Sequence, residues 1–194
     1  MSSPPTRAPR RKPPKKRRST RLKGFDYAQE GAYFVTICSF QRDCNFGEVI
    51  EAEMRPNDYG RIVEATWAEI PEHHPTTILD EFIVMPNHIH AVMFIVGATP
   101  ASPVATSPTP GTPIPVVPGP KRGSLGAIIG SFKASVTRKI NRLRQSPGMP
   151  VWQRNYYDHV IRSERELLRI RTYIQENPLR WSLDPENPQN VKKP

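Results

Sequence analysis

The chain has little of what marks a secreted or membrane protein. Its two cysteines, Cys38 and Cys44, show neither metal-ligand spacing nor a disulfide framework, which points to reduced thiols in a cytosolic protein. The longest apolar run, residues 91–97, is too short to cross a membrane, so no membrane partner is expected. The N-terminus has no hydrophobic segment of the signal-peptide kind. Acidic residues are missing altogether from residues 1–23, which carry ten Lys/Arg and so account for the net charge of +10. There is no internal repeat.

What is present is a chain of 194 residues, enough for one domain with a core plus tails. Beyond the basic arm the charge is divided. Residues 25–100 hold three basic and twelve acidic side chains, whereas residues 121–173 hold twelve basic and three acidic. The basic half would attract a polyanion, and the arm would add salt-sensitive affinity. Such an arm alone fits a solubilising tail as well as nucleic acid.

Composition divides the chain into a basic, Pro-rich arm over 1–23 expected to be disordered, one domain over 24–182, and a polar tail over 183–194. Within the domain, residues 99–120 carry eight prolines and read as an extended insertion. Periodicity predicts strands over 32–40, 77–85, 88–96 and 156–162, with Pro86-Asn87 as the turn between the second and third. It predicts helices over 57–70, stopped by Pro71, over 124–143, and over 163–176 with Ser163 as N-cap. The order β-α-β-β-α-β-α is an α+β arrangement: a ferredoxin-like antiparallel sheet with an added C-terminal helix.

Chemistry concentrates in two places. In Val84-Met85-Pro86-Asn87-His88-Ile89-His90, the two imidazoles fall at i and i+2 of a strand and so share a face. The pair alone fits a metal or catalytic role and also ordinary half-buried histidines. On the last helix, Tyr173 lies beside the inward stripe and Asn177 four residues on, on the same face. The bland alternatives are a boundary aromatic and a helix end before Pro178. His73-His74 and His159 read as structural.

Together with Ser131-Phe132-Lys133 and with Trp152-Gln153 followed by Tyr156-Tyr157-Asp158-His159-Val160-Ile161-Arg162, these motifs resemble the single-tyrosine HUH transposases, most closely the REP-associated branch. The resemblance spans about residues 24–182 in the family's order. It implies that His88 and His90 are metal ligands, that Asn177 is the third ligand, and that Tyr173 is the nucleophile. The implied cofactor is a divalent cation, Mg²⁺ or Mn²⁺. The implied activity is cleavage and strand transfer of single-stranded DNA through a 5′-phosphotyrosine, on hairpin or palindromic repeat DNA. It also implies a bacterial, nucleoid-associated location. The arm and the Pro-rich insertion depart from the family pattern without interrupting a motif.

Lys133, Arg138, Arg142, Arg154 and Arg162 are candidate phosphate contacts, and each reads equally as a solvated surface charge. Trp152-Gln153 would shape the floor of the site or its DNA groove. Tyr156, Trp152 and Trp181 could stack unpaired bases, with core packing expected for at least two of them. Rival readings are a non-catalytic hairpin-binding protein on the same fold, a general basic nucleic-acid-binding module, and an HUH enzyme of the replication-initiation or relaxase kind. No protein partner is expected; monomer and homodimer both stay open.

Overall fold

The computed structural model describes residues 26–97, 120–184, 187, 188 and 190. The basic arm of residues 1–23, and all but the last residue of the Pro-rich stretch 99–120, lie outside the described residues. In chain order the elements are β1 (Gly31–Cys38), β2 (Gly47–Ile50), β3 (Glu53–Pro56), α1 (Asp58–Ala68), α2 (Ile70–His73), β4 (Thr77–Met85), β5 (His88–Ile95), α3 (Leu125–Leu143), β6 (Tyr157–Ile161) and α4 (Glu164–Gln175). The main sheet runs β4-β5-β1-β6 with every neighbour antiparallel, and β2-β3 form a separate hairpin. This is the expected α+β, ferredoxin-like arrangement with α4 appended.

The sheet works because strand side chains alternate between faces. On one face Tyr33, Val35 and Ile37 of β1 and Ile89, Ala91, Met93 and Ile95 of β5 join the buried residues of α1 and α3 in the larger core. On the other face Phe34, Val92 and Ile161 pack against Ile174 of α4, with Ile83, Phe94, Leu167 and Ile170 around them. His88 and His90 have the parity of Val92 and so lie on the α4 face. Central strand β5 is covered on both sides, which is why its sequence is apolar almost throughout and its histidines are buried.

Side chains cap the three long helices, the one at Ser163 as the sequence predicts. Ser163 accepts from the amide of Glu166, Ser124 from that of Ala127, and Asn57 from those of Tyr59 and Gly60. Polar clasps then fix α4 on the sheet. Arg171 holds the Asp80 carboxylate through Nε at 3.1 Å and through Nη2, Gln175 donates to Glu81 at 3.0 Å, and His159 Nε2 lies 2.8 Å from Glu166. Asp80 and Glu81 sit in a β-bulge between Leu79 and Phe82, which turns both carboxylates toward α4. His159 is therefore structural, as expected.

Four features differ from the sequence reading. The helix predicted over 57–70 ends at Ala68, and Pro71, read as its stop, sits in the first turn of the separate α2, where a proline's missing amide costs nothing. The β2–β3 hairpin was not expected, because its turn residues Glu51 and Ala52 adopt φ of 51° and 64°, positions where Asn-Gly is the usual signal. The predicted strand over 32–40 ends at Cys38; Ser39 makes only an isolated bridge to Trp152 and Phe40 begins a 3-10 turn. The stretch after residue 182 is not simply a polar tail: Asp184 and Asn187 are buried, and Asn190 donates to the carbonyls of Ser182 and Asp184. Among the described residues no helix is long and apolar enough to cross a membrane.

Ile174, with no exposed surface, is the main apolar anchor of α4. Truncation to Ala should cost about 2–5 kcal/mol and truncation to Val about 0.5–1.5 kcal/mol in urea unfolding. Equal costs for the two variants would show that α4 is not held this way.

Candidate active site

The site begins with the β4–β5 hairpin. Pro86-Asn87 forms the turn, and its two carbonyls are held by the amides of Phe46 and Ser39 at 3.0 and 2.8 Å. Asn87 is buried; its Nδ2 donates to the Arg42 carbonyl at 3.0 Å, so its Oδ1 faces His88 Nδ1 at 2.8 Å. An amide oxygen only accepts, so His88 carries its proton on Nδ1 and leaves Nε2 as a lone pair. That nitrogen lies 3.1 Å from Nε2 of His90.

His90 is oriented from β1. Thr36 stands opposite it in the register and its hydroxyl lies 2.9 Å from His90 Nδ1. A hydroxyl donates or accepts, so Thr36 tolerates either tautomer. With a proton on Nε2, His90 donates to His88; with the proton on Nδ1, His90 donates to Thr36 and both Nε2 atoms present lone pairs. Phe34 stacks on the His90 ring at a centroid distance of 5.4 Å and 27° and fixes its plane.

Helix α4 brings the phenol. Tyr173 Oη lies 3.2 Å from His90 Nε2, within one chain, and the ring remains 41% exposed. Phe34 meets it edge-on at 6.3 Å. Just beyond α4, Asn177 is 1% exposed, and its Oδ1 is buried with no hydrogen-bond partner among the described residues. Trp181 follows in a 3-10 turn, 6.0 Å from the His88 ring.

Burial sets the protonation of the pair. Desolvation pushes His90 down to about 3 and His88 well below its ordinary value, with the nearby His90 and Arg42 acting in the same direction on His88. Both imidazoles are neutral at pH 7 and available as ligands. No cluster of three His, Cys, Asp or Glu able to hold a metal occurs among the described residues. The donors on offer are of another kind: the two imidazoles, which present two Nε2 lone pairs when His90 is protonated on Nδ1, and, on the segment after α4, the buried amide oxygen of Asn177. An orphaned buried carbonyl oxygen is costly unless something positive faces it, so the residues present fit a divalent cation.

The other expected site residues divide. Trp152 is 6% exposed and packs between Phe46 and Phe132, so it is a core residue and cannot stack a base as a DNA contact. Tyr156 packs against the same core. Lys133 donates to the carbonyls of Gln153 at 2.6 Å and Arg154 at 3.2 Å, and burial lowers its pKa to about 8. It ties α3 to the segment beside β1. Arg138 and Arg142 are exposed on α3, across the sheet from the imidazoles, whereas Arg154 and Arg162 flank β6 and make no side-chain ion pair among the described residues. Thr36, Phe34 and Asn87 were not singled out from the sequence. Strand parity puts Thr36 and Phe34 on one face, but only the register shows that this face meets His90.

No family model matches the chain. It is 39% identical over 171 residues to an uncharacterized protein of Haemophilus influenzae, a match covering 87% of this chain and 91% of the relative. The chain belongs to that protein's family. Among solved structures, a REP-associated tyrosine transposase bound to a REP hairpin matches 77% of this chain and 67% of its own, with a TM-score of 0.52 and 13% identity. The fold is that of a tyrosine transposase.

The depressed histidines have a measurable consequence. Unfolded imidazoles bind protons near pH 6.5 while the folded pair does not, so stability rises with pH through that range and falls as pH drops below it toward 3. The metal-free protein should therefore lose unfolding free energy between pH 7 and pH 5, and His90→Gln should lose less. His74, also lowered by burial, contributes to both proteins, so the difference reports His90 and its effect on His88. An identical pH slope for the two proteins would show that His90 titrates normally.

Proposed function

We propose that this protein is a metal-dependent endonuclease and strand transferase for single-stranded DNA, with Tyr173 as the nucleophile. The observation that supports this reading most is the meeting at His90 Nε2: His88 Nε2 at 3.1 Å and the Tyr173 hydroxyl at 3.2 Å, on a tyrosine-transposase fold. His88, His90 and Asn177 would hold Mg²⁺ or Mn²⁺, and such a cation supplies Lewis-acid polarisation of a phosphodiester.

The chain's own residues supply the rest. Asn87 and Thr36 set the tautomers, and Phe34 sets the angle between the His90 and Tyr173 rings. Burial excludes water from the imidazoles while Tyr173 stays open to a strand. Tyr173 Oη attacks phosphorus, the bond to the 3′-oxygen breaks, and a 5′-phosphotyrosine forms with a free 3′-hydroxyl. The phenol loses one proton and the 3′-oxygen gains one, so charge balances. The linkage retains the energy of the broken bond, and another 3′-hydroxyl can reverse the step without ATP.

The solved relative is bound to a REP hairpin, and hairpin-bearing single strands are accordingly the substrate class proposed here. A binding protein that never cuts would share the fold and the exposed arginines. It would have no use for a neutral imidazole pair beside an exposed phenol.

Covalent capture separates the two. End-labelled single strands carrying hairpins, incubated with protein and Mn²⁺ or Mg²⁺, should give a denaturant-resistant adduct. The adduct should vanish with chelator and fall by at least about a hundredfold in Tyr173→Phe, the scale expected for losing a covalent nucleophile. An undiminished adduct in Tyr173→Phe would refute the assignment. Tight hairpin binding with no adduct under any condition would favour the binding protein.

A further inference from the structure

Tyr157 is the other exposed aromatic on the face of the sheet that carries the imidazoles. Large aromatic side chains with substantial exposure are few among the described residues: Phe40, Tyr157 and Tyr173. Both tyrosines abut Phe34, Tyr173 at 6.3 Å and Tyr157 at 6.2 Å, each edge to face. Tyr157 is 46% exposed, and its hydroxyl makes no hydrogen bond among the described residues. Contact with Phe34 covers one edge of the ring, and its exposed part has no polar partner among the described residues.

Its position follows from the register. Thr36 pairs with His90 on one side and with Tyr157 on the other, so the three lie in one row across the sheet, on one face. With strands about 4.8 Å apart, Tyr157 stands about 10 Å from His90, measured between backbones. It opens β6, which is an edge strand of the sheet, so one side of the ring faces outward. Arg154, three residues before that strand, and Arg162, directly after it, are exposed. An exposed ring on a segment that also carries two exposed arginines, supported by the same phenylalanine as Tyr173, suits a flat apolar group on an anionic backbone.

We propose that Tyr157 is a base-stacking residue that seats an unpaired nucleobase of the strand next to the phosphate at Tyr173. This rests on the reading of Tyr173 as the nucleophile of a single-strand enzyme. Stacking needs the π-face and not the hydroxyl, and any base offers one, so the contact would fix the position of the strand with little sequence preference.

The test is binding of a fluorescent hairpin-bearing single strand by anisotropy, alongside the covalent adduct, for wild type, Tyr157→Phe and Tyr157→Ala, with thermal melts as a folding control. Tyr157→Phe should bind within about twofold of wild type and Tyr157→Ala about tenfold or more weakly. Replacing nucleotides one at a time by abasic residues should identify a position whose loss weakens wild type by a similar factor and Tyr157→Ala no further. Should Tyr157→Ala fail to fold, Tyr157→Leu, apolar but without a π-face, serves in its place. Unchanged binding by the folded variant, or an abasic penalty that persists in full in it, overturns the proposal. An adduct lost in Tyr157→Phe but kept in Tyr173→Phe overturns it and the nucleophile assignment together. If the adduct survives both Phe variants while the abasic coupling holds, the stacking stands and only Tyr173's role falls.

Discussion

Two imidazole nitrogens face each other across 3.1 Å in a space closed to water, and much of the surrounding structure exists to make that arrangement tolerable. Burying two charged histidines side by side would be prohibitive, so both are neutral. Neutral rings still need their Nδ1 atoms satisfied. The hairpin turn provides Asn87 for one and the neighbouring strand provides Thr36 for the other. Asn87 is in turn held by the carbonyl of Arg42. Sheet register, turn geometry and a loop that precedes the small β2–β3 hairpin all converge on the orientation of two rings.

The phenol reaches this pair on an element that is docked rather than woven into the sheet. Helix α4 is held by Ile174 and its apolar neighbours, by the Arg171–Asp80 clasp at one strand and by the Glu166–His159 contact at the other. The bulge in β4 is part of this design, since without the extra residue Asp80 and Glu81 would have the parity of alternating faces and could not both meet α4. Packing on both sheet edges fixes the helix axis, and the axis fixes where Tyr173 and Asn177 fall. Stability of the helix interface and competence of the site are thus one property.

Much of this was legible in the sequence wherever local periodicity carried it. The alternation through His88-Ile89-His90 gave the shared face, and the Ser163 cap and apolar stripe gave α4. What was hidden depended on register or on unusual backbone. The β2–β3 turn uses Glu51 and Ala52 where turn-forming residues would announce it. Core packing was expected for at least two of Tyr156, Trp152 and Trp181, but which two depended on pairing: the bridge between Ser39 and Trp152 sets Trp152 in the larger core, with Tyr156 against it. Lys133 looked like a phosphate contact, but its ammonium is drawn to two backbone carbonyls. Arg138 and Arg142 carry the charge expected of a DNA face and stand on the helix that covers the opposite side of the sheet. Sequence shows which residues share an element's face; only the pairing of elements shows what that face meets.

In the proposed reading, His88 Nε2, His90 Nε2 and the otherwise orphaned Asn177 Oδ1 would hold one cation beside Tyr173. Anomalous diffraction from crystals of the full chain soaked in Mn²⁺ tests it directly. The expected result is a single strong peak at coordination distance from those three atoms, lost in His90→Ala. A peak held by other side chains, or none at these imidazoles when the crystals demonstrably contain Mn²⁺, would contradict it.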